Sequence, residues 1–192
     1  MTPYLAAPNQ PPERLKVPEA PGGITVGIVW ATNPKNKAMY KNKSIPLFTL
    51  MPGLMQLIKL DLISLHSLQV GEDAEQLLPW RSESQITEWK DKLTDFSDTA
   101  HVINQLDLII TVDTAAAHLA GALHKPTWLL LAHNADFRWL HKRTDSPWYP
   151  TMRLFRQKTR GNWPDVVKQV ENAFDELFIL DINSLASAKT SK

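Results

Sequence analysis

Residues 106–123 read LDLIITVDTAAAHLAGAL, and the side chains there that can do chemistry are Asp113, Thr114 and His118. An apolar run ends in a carboxylate and a hydroxyl, and a stretch of small residues follows at once. A strand that turns into a helix here would present the unpaired N–H groups of the first helical turn, with their partial positive charge, beyond the strand end. Ala115 and the two alanines after it leave nothing bulky to hold an anion away. Thr114 can cap the helix or bond a phosphate oxygen through its hydroxyl. Asp113 would repel a phosphate but can accept hydrogen bonds from sugar or ribose hydroxyls. His118 lies one turn further on, on the same helical face as Thr114. An ordinary helix start uses the same residues, because Asp and Thr are common caps and a lone histidine in an apolar helix more often packs than reacts. The pattern alone leaves both readings open, a cap or a seat for a diphosphate.

The elements that would position these residues are short apolar runs alternating with helical segments. Residues 25–30, 60–68, 107–112, 126–132 and 152–157 read as strands bounded by turn residues. Residues 45–59, 98–106, 114–123 and 135–143 read as short helices, and 162–177 places Val166, Val167, Val170, Ala173, Phe174 and Leu177 at helical spacing. Continuous apolar strands between helices predict a sheet covered on both faces. The fold class is therefore α/β, doubly wound, with a mainly parallel, Rossmann-like sheet. In such a sheet the ligand crevice lies outside the strand carboxyl ends, where the turn at Asp113 and Thr114 falls.

Composition sets the limits around this. Lys and Arg total 21 against 20 Asp and Glu, so no strong field draws in nucleic acid or an anionic membrane. The absence of cysteine excludes disulfides and thiolate metal sites, and the acidic residues show no metal-ligand spacing. The first residues lack the apolar core of a signal peptide and no run reaches the ~18 apolar residues a membrane span needs, so a cytoplasmic setting is expected. Six prolines among residues 1–23 predict a tail or linker there; 24–180 form the folded domain, and the small, polar residues 181–192 a flexible tail.

A more specific signal comes from segments that occur in order along the chain. These are VGIVWATNP (26–34), SIPL (44–47), SLQVG (67–71), residues 95–131 around the VDT turn, FRWL (137–140), DSPWYPTMRLFRQ (145–157) and GNWPDVV (161–167). Together they resemble the carboxyl-terminal half of bacterial glycosyltransferases often fused to tetratricopeptide repeats, a group similar to heptosyltransferases and, more distantly, to O-linked N-acetylglucosamine transferases. The resemblance implies one half of a GT-B fold that binds a nucleoside-diphosphate sugar. It puts Asp113, Thr114 and Ala115 at the diphosphate, with His118 behind them. By the same likeness Asn33 and Pro34 face the cleft, Ser44 closes their loop, and Gln69 lies near the base. Such enzymes invert the anomeric carbon and need no metal or other cofactor, since helix amides and basic side chains stabilise the departing diphosphate.

The sequence also departs from that pattern. Relatives carry a histidine, an asparagine, an aspartate and arginines in the loop after the first strand. This chain has Asn36, Ala38, Met39, Tyr40 and Lys43 there, and Lys35, Lys37, Lys41 and Lys43 keep the segment basic. Lysine supplies charge without the bidentate fork of arginine. A general base in this architecture comes from a first domain or from the repeat side of the cleft, so the catalytic residue is not assigned. His66, His101, His118, His124, His133 and His141 offer bases without a pattern that selects one. The partner implied is a separate repeat protein or amino-terminal glycosyltransferase half. The alternative is a degenerate, non-catalytic module kept for protein–protein contact. In FRWLHKRTDSPWYP, Arg138 could reach a phosphate and Trp139, Trp148 and Tyr149 could stack on a sugar, or the rings could anchor a loop.

Overall fold

A computed structural model of the chain describes residues 3–7, 10–19 and 23–190, with side chains to 179. Six strands, β1 (Ile24–Val29), β2 (Ile63–Ser67), β3 (Ile86–Glu88), β4 (Leu108–Val112), β5 (Thr127–Leu131) and β6 (Met152–Arg156), form one sheet in the order β3-β2-β1-β4-β5-β6. Every pairing is parallel. The helices are α1 (Lys37–Lys43), α2 (Leu47–Lys59), α3 (Phe96–Gln105), α4 (Ala115–Ala122) and α5 (Trp163–Thr190).

The strands are apolar on both sides because both sides are covered. Leu108, Ile110 and Val112 of β4 join Leu50, Met51 and Leu54 of α2 and Val166, Val170 and Phe174 of α5 in one core cluster. Ile109, from the opposite face of the same strand, packs with Val102 and Ile103 of α3 and Ala120 of α4. Alternation along the strand thus sorts neighbours into two layers, as the pleat requires. Among the described residues no helix is long and apolar enough to cross a membrane.

Three elements differ from the sequence reading. The helix expected over 135–143 is a single 3₁₀ turn, Phe137–Trp139, because Leu140 and Lys142 take φ of +50° and +56° and end it. The lysine-rich loop contains α1, whose first turn is capped by Asn36 Oδ1 accepting from Met39 N at 3.2 Å. The edge strand β3 has three half-buried residues, too few to show a period.

The ends differ as well. Residues 10–19, expected as tail or linker, lie along α3: Leu15 is fully buried, Arg14 reaches Asp98 at 2.7 Å, and Gln105 donates to Leu15 O at 2.9 Å and accepts from Val17 N at 3.1 Å. One apolar anchor among prolines carries no periodicity, so composition alone could not reveal the docking. At the other end the backbone of α5 stays helical to Thr190, past the expected boundary at 180, through Ala, Leu, Ser and Lys residues that tolerate a helix. Pro8, Pro21, Gly22 and residues 191–192 of the expected tails lie outside the described residues.

Candidate functional site

The strand order reverses between β1 and β4: from β1 the chain steps to β2 and β3 on one side, and from β4 to β5 and β6 on the other. The loops leaving these two strands therefore diverge and open a crevice at their carboxyl ends, where doubly wound sheets hold ligands. That crevice has a volume of about 1080 Å³. Asn33, Pro34 and Lys35 line it from the β1 side, Met39 and Lys43 from α1, Asp113 to Ala116 from the β4–α4 turn, and His118 and Arg138 from behind.

Thr114 is the N-cap residue of α4, with extended backbone and no side-chain cap hydrogen bond. Its hydroxyl instead lies 3.3 Å from Thr111 Oγ1, and Ala115 is exposed. The first amides of α4 thus receive no side-chain acceptor, and Thr114, Ala115 and Ala116 line the cleft. Asp113, which could have repelled an anion, donates none of its charge freely: Lys43 Nζ lies 2.5 Å from Asp113 Oδ2. That ion pair is nearly enclosed, so little water screens it.

His118 stands at the rear of the crevice. Its ring stacks on Trp139, with centroids 5.2 Å apart, and Nδ1 lies 3.0 Å from Tyr149 Oη. Burial pushes its pKa below the usual histidine range, with Asp113 opposing that shift and Arg138 adding to it, which favours the neutral ring. Of the six histidines only His118 lines the crevice. His66 is buried against Trp89 Nε1, and His133 Nδ1 lies 3.2 Å from Gln157 O.

The other expected residues divide. Asn33 and Pro34 line the cleft; Asn33 Oδ1 accepts from Lys35 N at 2.9 Å and shapes the turn. Ser44 does not line it but does close the loop, its Oγ accepting from Thr32 N at 3.0 Å. Gln69 lines the cleft with its carboxamide already committed: Oε1 accepts from Trp30 N and Ala31 N, and Nε2 donates to Val70 O. It ties the ends of β1 and β2 together. Of the aromatic segment, Trp139 is fully buried under His118 while Trp148 is mostly exposed. Lys43 is one of four lysines in its loop and nothing in the sequence pattern singles it out; the helical turn of α1 brings it to Asp113 at the crevice. Tyr40, on the same helix, donates to Asp73 at 2.5 Å, and that contact pushes its pKa up to about 12. Among the described residues no group of three or more His, Asp or Glu could hold a metal ion.

An all-parallel sheet in this order, with a crevice at its reversal point, defines a Rossmann-like α/β domain. Comparison with known proteins narrows the class. Residues 92–174, which carry the turn and His118, match the family Glycosyltransferase family 9 (heptosyltransferase). E. coli ADP-heptose lps heptosyltransferase II superposes with a TM-score of 0.62 at 16% identity, over 83% of this chain and 47% of that one. E. coli heptosyltransferase WaaC with ADP superposes with a TM-score of 0.55 at 14% identity, over 84% and 45%. S. aureus MnaA with UDP gives 0.53 at 14% identity, over 80% and 37%. Among curated proteins, Protein FlbA of Caulobacter vibrioides is 29% identical over 112 residues, 56% of this chain and 18% of FlbA. The fold is a six-stranded parallel Rossmann-like unit similar to that in these heptosyltransferase structures, and the chain spans less than half the length of the solved heptosyltransferases it matches.

Proposed function

We propose that the chain is the donor-binding, carboxyl-terminal part of a repeat-associated GT-B glycosyltransferase and takes a nucleoside-diphosphate sugar. The observation that carries this reading is the uncapped start of α4 at the sheet's reversal point, with the Lys43–Asp113 pair beside it. The diphosphate rests on the amides from Ala115 onward, with Lys43 and Arg138 at its flanks, both lining the same crevice. Asp113, held by Lys43, keeps a lone pair for a sugar or ribose hydroxyl.

The reaction is an inverting glycosyl transfer. An acceptor hydroxyl forms the new bond to the anomeric carbon, the bond from that carbon to the diphosphate oxygen breaks, and the acceptor proton passes to a base on a partner domain. The nucleoside diphosphate leaves with the bonding electrons. Pre-placed amides and two cations meet the negative charge that develops on it, the role a metal fills elsewhere. Catalysis thus needs an amino-terminal half or repeat protein, supplied elsewhere in a longer polypeptide or by a separate chain.

Titration with ADP-, UDP- and GDP-sugars, followed by thermal unfolding, tests the reading. One nucleotide series should raise the Tm progressively once its concentration passes the Kd. No gain with any of them at millimolar concentration would count against donor binding and favour a module retained for docking to another protein.

A further inference from the structure

The contacts behind His118 are more elaborate than packing needs. Tyr149 Oη lies 3.0 Å from His118 Nδ1 on one side and accepts from Tyr4 Oη at 3.1 Å on the other. Two features seat the Tyr149 ring. Ser146 Oγ, itself buried, accepts from the main-chain amides of Trp148 and Tyr149, both at 3.3 Å, and fixes the loop. On α4, one turn beyond His118, Gly121 leaves the space the ring fills: a Cβ there would stand 2.5 Å from two Tyr149 ring carbons. Glycine inside a helix is less favourable than alanine. Here it lets an aromatic ring lie close enough to the helix for its hydroxyl to reach His118.

Resting on the donor-site reading above, we infer that Tyr149 is a positioning residue: seated by Gly121 and Ser146 and backed by Tyr4, it fixes His118 as the Nε2–H tautomer, a neutral donor toward the diphosphate. The argument is one of proton counting. A tyrosine hydroxyl has one proton. Its oxygen has two lone pairs, so in the arrangement in which Tyr149 accepts from Tyr4 and donates to His118, Nδ1 is the unprotonated nitrogen. The proton of the neutral ring resides on Nε2, and His118 lines the crevice. The second-neighbour hydrogen bond thereby selects which nitrogen donates to the ligand. The charged groups that bear on His118 are Asp113, Lys43, Arg138 and Asp136. Asp113 and Lys43 are paired, as are Arg138 and Asp136 at 3.2 Å, so no one of these charges faces the ring alone.

The test is nitrogen NMR on the whole chain carrying 15N-histidine, with the His118 signals assigned by their loss in His118→Gln. Unliganded wild type at pH 7.5 should show His118 with Nδ1 bare and Nε2 protonated. Tyr149→Phe, which removes one oxygen and keeps the ring, should give a mixture of tautomers, and Tyr4→Phe a smaller change in the same direction. Affinity for ADP or UDP should fall about twofold in Tyr149→Phe, because an even mixture of tautomers leaves roughly half of the His118 rings with the Nε2 proton. A wild-type ring protonated on Nδ1, a Tyr149→Phe spectrum like wild type, or unchanged nucleotide affinity in that variant would each overturn the inference. Failure of wild type to bind any of ADP, UDP and GDP would instead sink the donor-site reading, since the tautomer measured without ligand still decides what Tyr149 does.

Discussion

Lys43 Nζ lies 2.5 Å from Asp113 Oδ2, and the two side chains are only 11% and 6% exposed. One comes from the last turn of α1 and the other from the end of β4, so the pair closes the crevice across 70 residues of chain. A carboxylate left alone at this position would be both costly and repellent to a phosphate.

Lys43→Met should therefore lower stability by about 2–3 kcal/mol, chiefly because Asp113 is left unpaired. Lys43→Met combined with Asp113→Asn should recover most of that loss, since no isolated charge remains. Urea unfolding of the two singles and the double closes the cycle. A loss in the double equal to the sum of the two single losses would show that the pair carries no coupling. Nucleotide-dependent thermal stabilisation should disappear in Lys43→Met whatever the cycle gives.

Acid sensitivity should centre on His66. Its ring is 2% exposed, its Nδ1 accepts from Trp89 at 3.3 Å, and its Nε2 has no partner. Burial lowers its pKa to about 4, against a weak opposing pull from Asp107. In the unfolded chain the ring takes its proton near pH 6.5, whereas the folded chain refuses it until about pH 4. Between those values the unfolded state binds more protons, so stability is full above pH 6.5 and falls as pH drops toward 4, by up to about 3 kcal/mol. His118, lowered in the same direction, adds to the slope. His66→Gln should flatten the profile of urea midpoints between pH 7 and 4; a slope equal to wild type would assign the acid sensitivity to other groups.

The sheet and the turn were readable from sequence for the same reason. Leu108 to Val112 is apolar without a break, as a strand covered on both faces must be, and the change to Asp113, Thr114 and three alanines marks where the strand stops and a helix starts. Asp113, Thr114, Ala115 and His118 do meet in one crevice with Asn33 and Pro34. What stayed hidden depends on contacts far apart in the chain. Nothing near Lys43 announces Asp113, nothing near Gln69 announces the amides of Trp30 and Ala31, and the dependence of His118 on Tyr149 spans 31 residues. Residues 10–19 were misleading in the opposite sense, because proline content describes what a segment cannot form and is silent on what it docks against.

That docking gives its own prediction. Leu15 is fully buried among Ile103, Leu106 and Ala100, although it sits in a proline-rich segment. Leu15→Ala should cost about 2–4 kcal/mol, the range for an apolar side chain removed from a packed core. Lys16→Ala, at an exposed neighbour whose ion pair with Glu13 is solvated, should change stability by less than about 0.5 kcal/mol. Comparable small effects from both, by thermal or urea unfolding, would show that the segment peels away in solution.

Ala115→Asp separates stability from binding at the proposed seat. Ala115 is the first residue of α4 and is exposed, so an aspartate there meets open space and the positive end of the helix. A carboxylate in the first turn of a helix stabilises by about 0.3–1 kcal/mol. The same charge would occupy the amides proposed to hold the diphosphate and would repel it. The variant should thus melt at or slightly above the wild-type temperature without ligand and show no further gain with any nucleotide sugar. Ala115→Ser, small and uncharged, should keep that gain. If Ala115→Asp still responds to nucleotide as wild type does, the diphosphate does not sit on α4. A lower unliganded melting temperature would mean instead that the start of the helix is not open in the way its exposure indicates.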